Sequence, residues 1–260
     1  MHDWMYSVAG LLVGSLVGAT GVGGGAIMTP LLILLMGVAP HTAVGTDLIY
    51  ASITKMFGVG VHHSANRVDW QVVRRLALGS LPTAVATVVW MRYSGSSGVR
   101  EGAIIFALGV VLIATSTAMI LNPYLFKLGK NLRVGNPENF KQFQFPLTIA
   151  AGALLGFLVA LTSIGAGSLG APILLALYPL RLTPVRLVAT DLAHAIPLAL
   201  IAGIGHILLG NVNFTLLGWL LLGSIPGVFV GAYFGGRLPD RALQILIAVV
   251  LVFVGVKLLH

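Results

Sequence analysis

The sequence predicts an all-α integral membrane protein of two inverted repeats. Each repeat is a re-entrant hairpin of half-helices with a Gly-rich tip, followed by three transmembrane helices. Composition, an internal duplication and the placement of positive charge lead to that fold class.

The 260 residues are 57% hydrophobic and 8% charged, and mean hydropathy is +0.99. A soluble domain carries about 25% charged residues. Mostly apolar stretches at Ala103–Leu121, Leu187–Leu209, Leu216–Phe234 and Leu243–Leu259 have the length, about 20 residues, that crosses a ~30 Å hydrocarbon core. They leave no room for a soluble domain. The opening Met1-His2-Asp3-Trp4 puts no basic segment ahead of the first apolar run, so no cleaved signal peptide is expected. Without cysteine there is no disulfide framework, thiolate metal site or catalytic thiol. The net charge of +8 would suggest nucleic acid in a soluble protein; here it is read as Lys and Arg held in cytoplasmic loops, with no nucleic-acid partner.

The chain resembles itself. Gly10–Pro30 aligns with Gly152–Pro172 at an offset of 142, pairing Gly14 with Gly156, Thr20 with Thr162, Gly23 and Gly25 with Gly165 and Gly167. After a two-residue insertion the offset is 144: Pro40 pairs with Pro184, Val44–Leu48 with Val188–Leu192, His62 with His206, and Leu78–Pro82 with Leu222–Pro226. Such an order of Gly, Pro, Thr-Asp, His and Ser-Pro marks a duplication. The first repeat is taken as 1–121, a polar cytoplasmic linker as 122–145, and the second repeat as 146–260.

Each unit opens with an apolar stretch of about 30 residues, a length near that of a long span, that is broken by glycines, at Thr20-Gly21-Val22-Gly23-Gly24-Gly25 and at Thr162-Ser163-Ile164-Gly165-Ala166-Gly167-Ser168. If each stretch is a hairpin, one face collects eleven cations, Arg67, Arg74, Arg75, Lys127, Lys130, Arg133, Lys141, Arg181, Arg186, Arg237 and Arg241, against three, Arg92, Arg100 and Lys257. If each crosses once, the split is eight to six. The positive-inside rule selects the hairpin. Both termini then lie outside the cytoplasmic (cell inner) membrane, and the repeats are inverted. The returning limbs, Ala26–Met36 and Leu169–Tyr178, have about 10 residues, ~15 Å of helix, which puts the breaks near the bilayer midplane.

A helix starting after a Gly-rich turn points unpaired N–H groups at that turn and adds a partial positive charge. Two such ends facing one another suit a small anion. The candidate substrate-binding residues are therefore Thr20, Gly21, Val22, Gly23, Gly24 and Gly25 with Thr162, Ser163, Ile164, Gly165, Ala166, Gly167 and Ser168. Pro40 and Pro184 read as first-turn prolines, which sets Asp47 and Asp191 about 10 Å inside the following helices. A carboxylate there is costly; it is read as a proton or cation carrier or as a structural group. Lys55, whose counterpart is Ala199, is expected to pair with Asp191 or to snorkel. His62, His63 and His206 are read as interfacial or capping residues. His194, one turn after Asp191, is the position of Tyr50 in the first repeat.

The run Gly18-Ala19-Thr20-Gly21-Val22-Gly23-Gly24-Gly25 leading to Pro30, the Val44–Thr46 run and the Leu222–Gly227 run resemble the TauE/SafE family, over essentially the whole chain. The resemblance implies export or uptake of sulfite, organosulfonates or other small anions, coupled to an ion gradient. It also implies that the Gly-rich runs and Thr46 and Thr190 line the path. The second break departs from the pattern, reading Gly-Ala-Gly-Ser in place of three glycines.

The function expected is secondary transport by alternating access, with the lipid bilayer and a small anion as partners, no cofactor, and homo-oligomerisation left open. The chain is not read as an enzyme. Two rivals are a divalent-cation permease using Asp47, Asp191 and the histidines, and an intramembrane hydrolase built on Ser168 with His194 or His206. A plain anion channel is a third; saturation and counterflow separate it from a carrier.

Overall fold

The computed structural model describes residues 4–20, 25–62, 68–93, 97–121, 124, 126–127, 130–131, 134, 137–165, 168–235 and 240–259. No strand occurs among them. The helices are α1 (Trp4–Thr20), α2 (Gly25–Leu34), α3 (Pro40–His62), α4 (Trp70–Tyr93), α5 (Ser97–Ile120), α6 (Pro137–Thr162), α7 (Gly170–Leu177), α8 (Pro184–Leu208), α9 (Phe214–Gly235) and α10 (Asp240–Leu259).

Four of these, α4, α6, α8 and α9, are long and apolar enough to cross a membrane. α3 has the length, 23 residues, but carries Asp47 and Lys55. α2 and α7 have 10 and 8 residues, ~15 and ~12 Å of helix. Pro40 and Pro184 open α3 and α8, where a missing N–H costs nothing. α6 starts at Pro137, inside the stretch assigned to the linker, because the polar residues ahead of Pro146 continue the helix.

Small residues decide which helices meet. A Cβ on Gly10 or Gly18 would overlap the carbonyl oxygens of Leu220 or Val228 on α9, and one on Gly14 would sit 2.5 Å from that of Ser224. Glycines on α9 answer: a Cβ on Gly223 or Gly231 would overlap the carbonyls of Ser7 or Ser15 on α1. The same close approach joins α4 to α6, through Gly152 on Leu76, Gly156 on Ser80 and Gly79 on Ile149. Membrane helices associate through such small-residue faces. The contacts Gly10–Leu220 and Gly152–Leu76 interconvert by the offsets 142 and 144 that align the sequence with itself.

Because Gly10 faces Leu220 and Gly18 faces Val228, α1 and α9 run in the same direction. The Asn213 N–H, just before α9, donates to Thr46 Oγ1 at 3.0 Å, so the starts of α1, α3 and α9 gather at one end. At the other end Asp69 N–H, just before α4, donates to Thr190 Oγ1 at 3.0 Å. The apolar interior divides accordingly. One cluster joins Val13, Val17, Met28, Leu32, Ile49 and Tyr50 to Leu216 and Leu220; the other joins Leu155, Val159, Ile164 and Leu198 to Val72, Leu76 and Ala84. Each cluster mixes helices from both halves of the sequence.

The ends of α1 and α6 reach past the middle of the bundle. Gly18 lies against Val228 and Ala232 in the second half of α9, and Ala160 meets His206 near the end of α8. The ends of α1 and α6 thus lie deeper than the halfway depth inferred from the returning limbs, because the two limbs of each hairpin differ in length. Leu12, Phe106, Leu222, Val249 and Phe253 are 60–70% exposed, an apolar surface suited to lipid and a liability in water.

Candidate transport site

Buried polar groups concentrate where α3, α4, α8 and α9 meet the two short limbs. Asp47 is fully buried; its Oδ2 accepts a 2.5 Å hydrogen bond from Thr29 Oγ1 on α2, while Oδ1 has no partner. Asp191 is 4% exposed, and its Oδ1 lies so close to Gly170 that a Cβ there would overlap it. That oxygen too has no hydrogen-bond partner. Lys55, 2% exposed, interacts electrostatically with Asp191 most strongly and with Asp47 next. A buried charge demands such compensation.

The second break is built by local bonds. Thr162 Oγ1 donates to Leu158 O at 2.7 Å and accepts Ile164 N–H at 3.2 Å. Ser163 takes φ +60° and Gly165 φ +118°, left-handed conformations that turn the chain out of α6. Leu169 and Gly170 N–H groups both go to Gly165 O, at 3.2 and 3.3 Å. Pro172 has none to give. The amino end of α7 therefore offers fewer free donors than expected, because the turn folds back on its own amides.

Hydroxyls remain. Ser163 and Ser168 are each 4% exposed, and among the described residues neither Oγ has a hydrogen-bond partner. Ser163 Oγ lies beside the Asp47 carboxylate, short of hydrogen-bonding geometry. Ile164 is wholly buried in the apolar core and presents nothing polar. Gly21–Gly24 of the first break, with Ala166, Gly167 and His63, lie outside the described residues, as do the side chains of Thr20, Gly25 and His62. Thr46 and Thr190 each accept a backbone N–H at a helix start.

Several polar residues were not singled out from the sequence. Ser80 Oγ and His194 Nε2 lie 2.8 Å apart; Thr54 Oγ1 and Ser224 Oγ lie 3.1 Å apart, with the Tyr50 hydroxyl beside them, short of bonding geometry. Ser80 and Ser224 sit in the repeated Leu-Gly-Ser-x-Pro runs, and that repetition was the available signal. His206 is fully buried, unlike an interfacial histidine. Its Nε2 donates to Ala160 O at 2.9 Å and its Nδ1 accepts from Asn211 Nδ2 at 3.2 Å, so it is neutral and caps the end of α6 from a neighbouring helix.

The rivals lose ground on the same geometry. His194 is engaged by Ser80 and His206 by Ala160, and among the described residues no base bonds Ser168 Oγ, as a serine nucleophile requires. Among the described residues no three His, Asp or Glu side chains gather as a metal site.

The sequence pattern of the sulfite exporter TauE/SafE family matches residues 6–258. The chain belongs to that family. Among similar proteins, the probable membrane transporter protein YjnA of Bacillus subtilis is 42% identical over 96% of this chain and 97% of its own length. Probable membrane transporter protein YunE of the same organism is 26% identical, over 97% and 96%. Probable membrane transporter protein MJ0441 of Methanocaldococcus jannaschii is also 26% identical, over 97% and 93%. No solved structure matches the chain. The protein is a TauE/SafE membrane transporter and not an enzyme.

Proposed function

We propose that the chain is a secondary transporter of a small anion, such as sulfite or an organosulfonate, that works by alternating access. The anion binds between the two helix breaks; Asp47 and Asp191 carry the coupling proton or ion and Lys55 balances their charge. The supporting observation is the pair of buried hydroxyls, Ser163 and Ser168, without hydrogen-bond partners among the described residues; Ser163 lies beside Asp47, whose charge interacts with Lys55. An anion entering a membrane loses hydration, and donors without internal partners can replace it. Weak net binding suits release.

The repeats, 1–121 and 146–260, are inverted, with both termini outside and 122–145 cytoplasmic in the cell inner membrane. The recurrence of α1–α9 contacts between α6 and α4 supports that reading, and so does the gathering of the α1 and α3 starts at one end. Thermal shift of detergent-solubilised protein against sulfite, sulfonates, chloride and divalent cations tests the substrate class. Stabilisation by an oxyanion and not by cations supports it. Stabilisation by a divalent cation alone transfers the site to the permease reading, in which Asp47 and Asp191 are ligands.

A further inference from the structure

We propose that the Asp69–Arg181 ion pair is a latch that closes one end of the transport path, and that the matching positions at the opposite end, Asn213 and Gly37, carry no charge, so the two access states are unequally populated at rest. The inference rests on the alternating-access reading above.

Arg181, in the turn after α7, grips Asp69 before α4 with two bonds, Nε to Oδ2 at 2.5 Å and Nη2 to Oδ1 at 2.8 Å. Nη2 also donates to Gln71 Oε1 at 2.7 Å, and Arg186 stands 4.0 Å from Oδ2. Asp69 is 5% exposed. Bidentate guanidinium–carboxylate pairs are the strongest of their kind, and a buried carboxylate is held by its partner. Further bonds tie the mouth of the α7 limb to α4 and α6. Arg75 donates to Tyr178 Oη at 3.3 Å, Tyr178 and Thr148 hydroxyls meet at 2.9 Å, and Gln144 donates to Leu177 O at 2.6 Å.

The repeat supplies an internal comparison. Asp69 corresponds to Asn213, Arg186 to Thr42, and Arg181 to Gly37 at the same offset; Leu35–Ala39 carries no charge. Asn213 keeps the structural role, since its Oδ1 accepts Leu216 N–H at 3.0 Å as Asp69 Oδ1 accepts Val72 N–H at 3.3 Å. Only the charge differs. The turn after α2 shows bonds within itself, Leu35 N–H to Leu31 O and Val38 N–H to Leu32 O, both 3.0 Å. The turn after α7 bonds within itself as well, Arg181 and Leu182 N–H to Tyr178 O at 3.1 and 3.2 Å, but that limb is in addition tied at its mouth to two long helices.

The chain has no cysteine, so Ser168→Cys gives a single reporter in the second break. A membrane-impermeant maleimide is applied from each side of oriented proteoliposomes. Asp69→Asn, which installs the Asn213 side chain and keeps the cap, is expected to raise labelling from the Arg181 end about tenfold, within the range of ordinary conformational couplings. Arg181→Lys should fall between. Ser163→Cys is the reporter if Ser168→Cys does not fold. Labelling unchanged by Asp69→Asn, including none from either end, overturns the latch. No substrate enters the assay, so failure of the anion assignment would leave the asymmetry in labelling intact.

Discussion

Thr46 and Thr190, 144 residues apart in sequence, perform one task at opposite ends of the bundle. Each hydroxyl accepts the N–H of the residue before a long helix, Asn213 for Thr46 and Asp69 for Thr190, both at 3.0 Å. In each case that residue's side chain then accepts an amide three residues on. Positions 144 residues apart thus make matching bonds between the halves of the chain.

Removing either hydroxyl leaves a backbone N–H without its partner, buried at Asp69 and part-buried at Asn213, at a cost of up to about 1–3 kcal/mol. Thr46→Val and Thr190→Val are each expected to lower Tm by similar amounts in thermal unfolding, with Thr→Ser restoring most of the loss. Unequal losses, with one variant neutral, would count against equivalent roles.

The glycine faces make a second test. Gly14→Val and Gly156→Val push a side chain into the Ser224 and Ser80 backbones, and overpacking costs about 1–3 kcal/mol or more. Both should lose folded protein in size-exclusion profiles. Gly218→Ala, with nothing within 4 Å, should be neutral.

Asp69 sets a pH dependence. Burial pushes its carboxyl up, but bonds from Arg181 and Val72 N–H, with the Arg181 and Arg186 charges, hold it below its ordinary value. A depressed carboxyl stabilises the fold above the ordinary aspartate range, near about 3.9, and that contribution is lost as pH falls through the lower folded value. The Tm difference between parent and Asp69→Asn should therefore be constant at neutral pH and vanish on acidification below about pH 4.

Ser163 and Ser168 separate binding from stability. Their hydroxyls have no internal partner, so Ser→Ala should leave Tm unchanged or raised. Anion transport should nevertheless weaken about tenfold in KM, as loss of about 1.4 kcal/mol of binding implies. Thr162→Ala, which removes the bonds to Leu158 and Ile164, should lower stability.

The all-helical membrane fold class and the end of α6 at Thr162 were legible in the sequence because each is a local pattern of apolar residues, Gly and Pro. The partners across the bundle were not. Gly10 and Gly14 were visible as aligned glycines, yet their contacts Leu220 and Ser224 lie some 210 residues away, and helical periodicity marks a face without naming what covers it. Asp69 carries no sequence signal beyond a lone carboxylate before a helix; Arg181, 112 residues on, makes it an ion pair. The expectation of free amides at α7 failed on Gly165, whose carbonyl takes two of them.

Counterflow in proteoliposomes tests the central claim most directly. Vesicles loaded with unlabelled sulfite, and then with taurine or another sulfonate, are diluted into trace labelled anion. The account expects transient, saturable accumulation of label with at least one of these anions, reduced in Ser163→Ala/Ser168→Ala. Label that enters without saturation or overshoot would show a channel, and the absence of flux for every anion tried would contradict anion transport by this site.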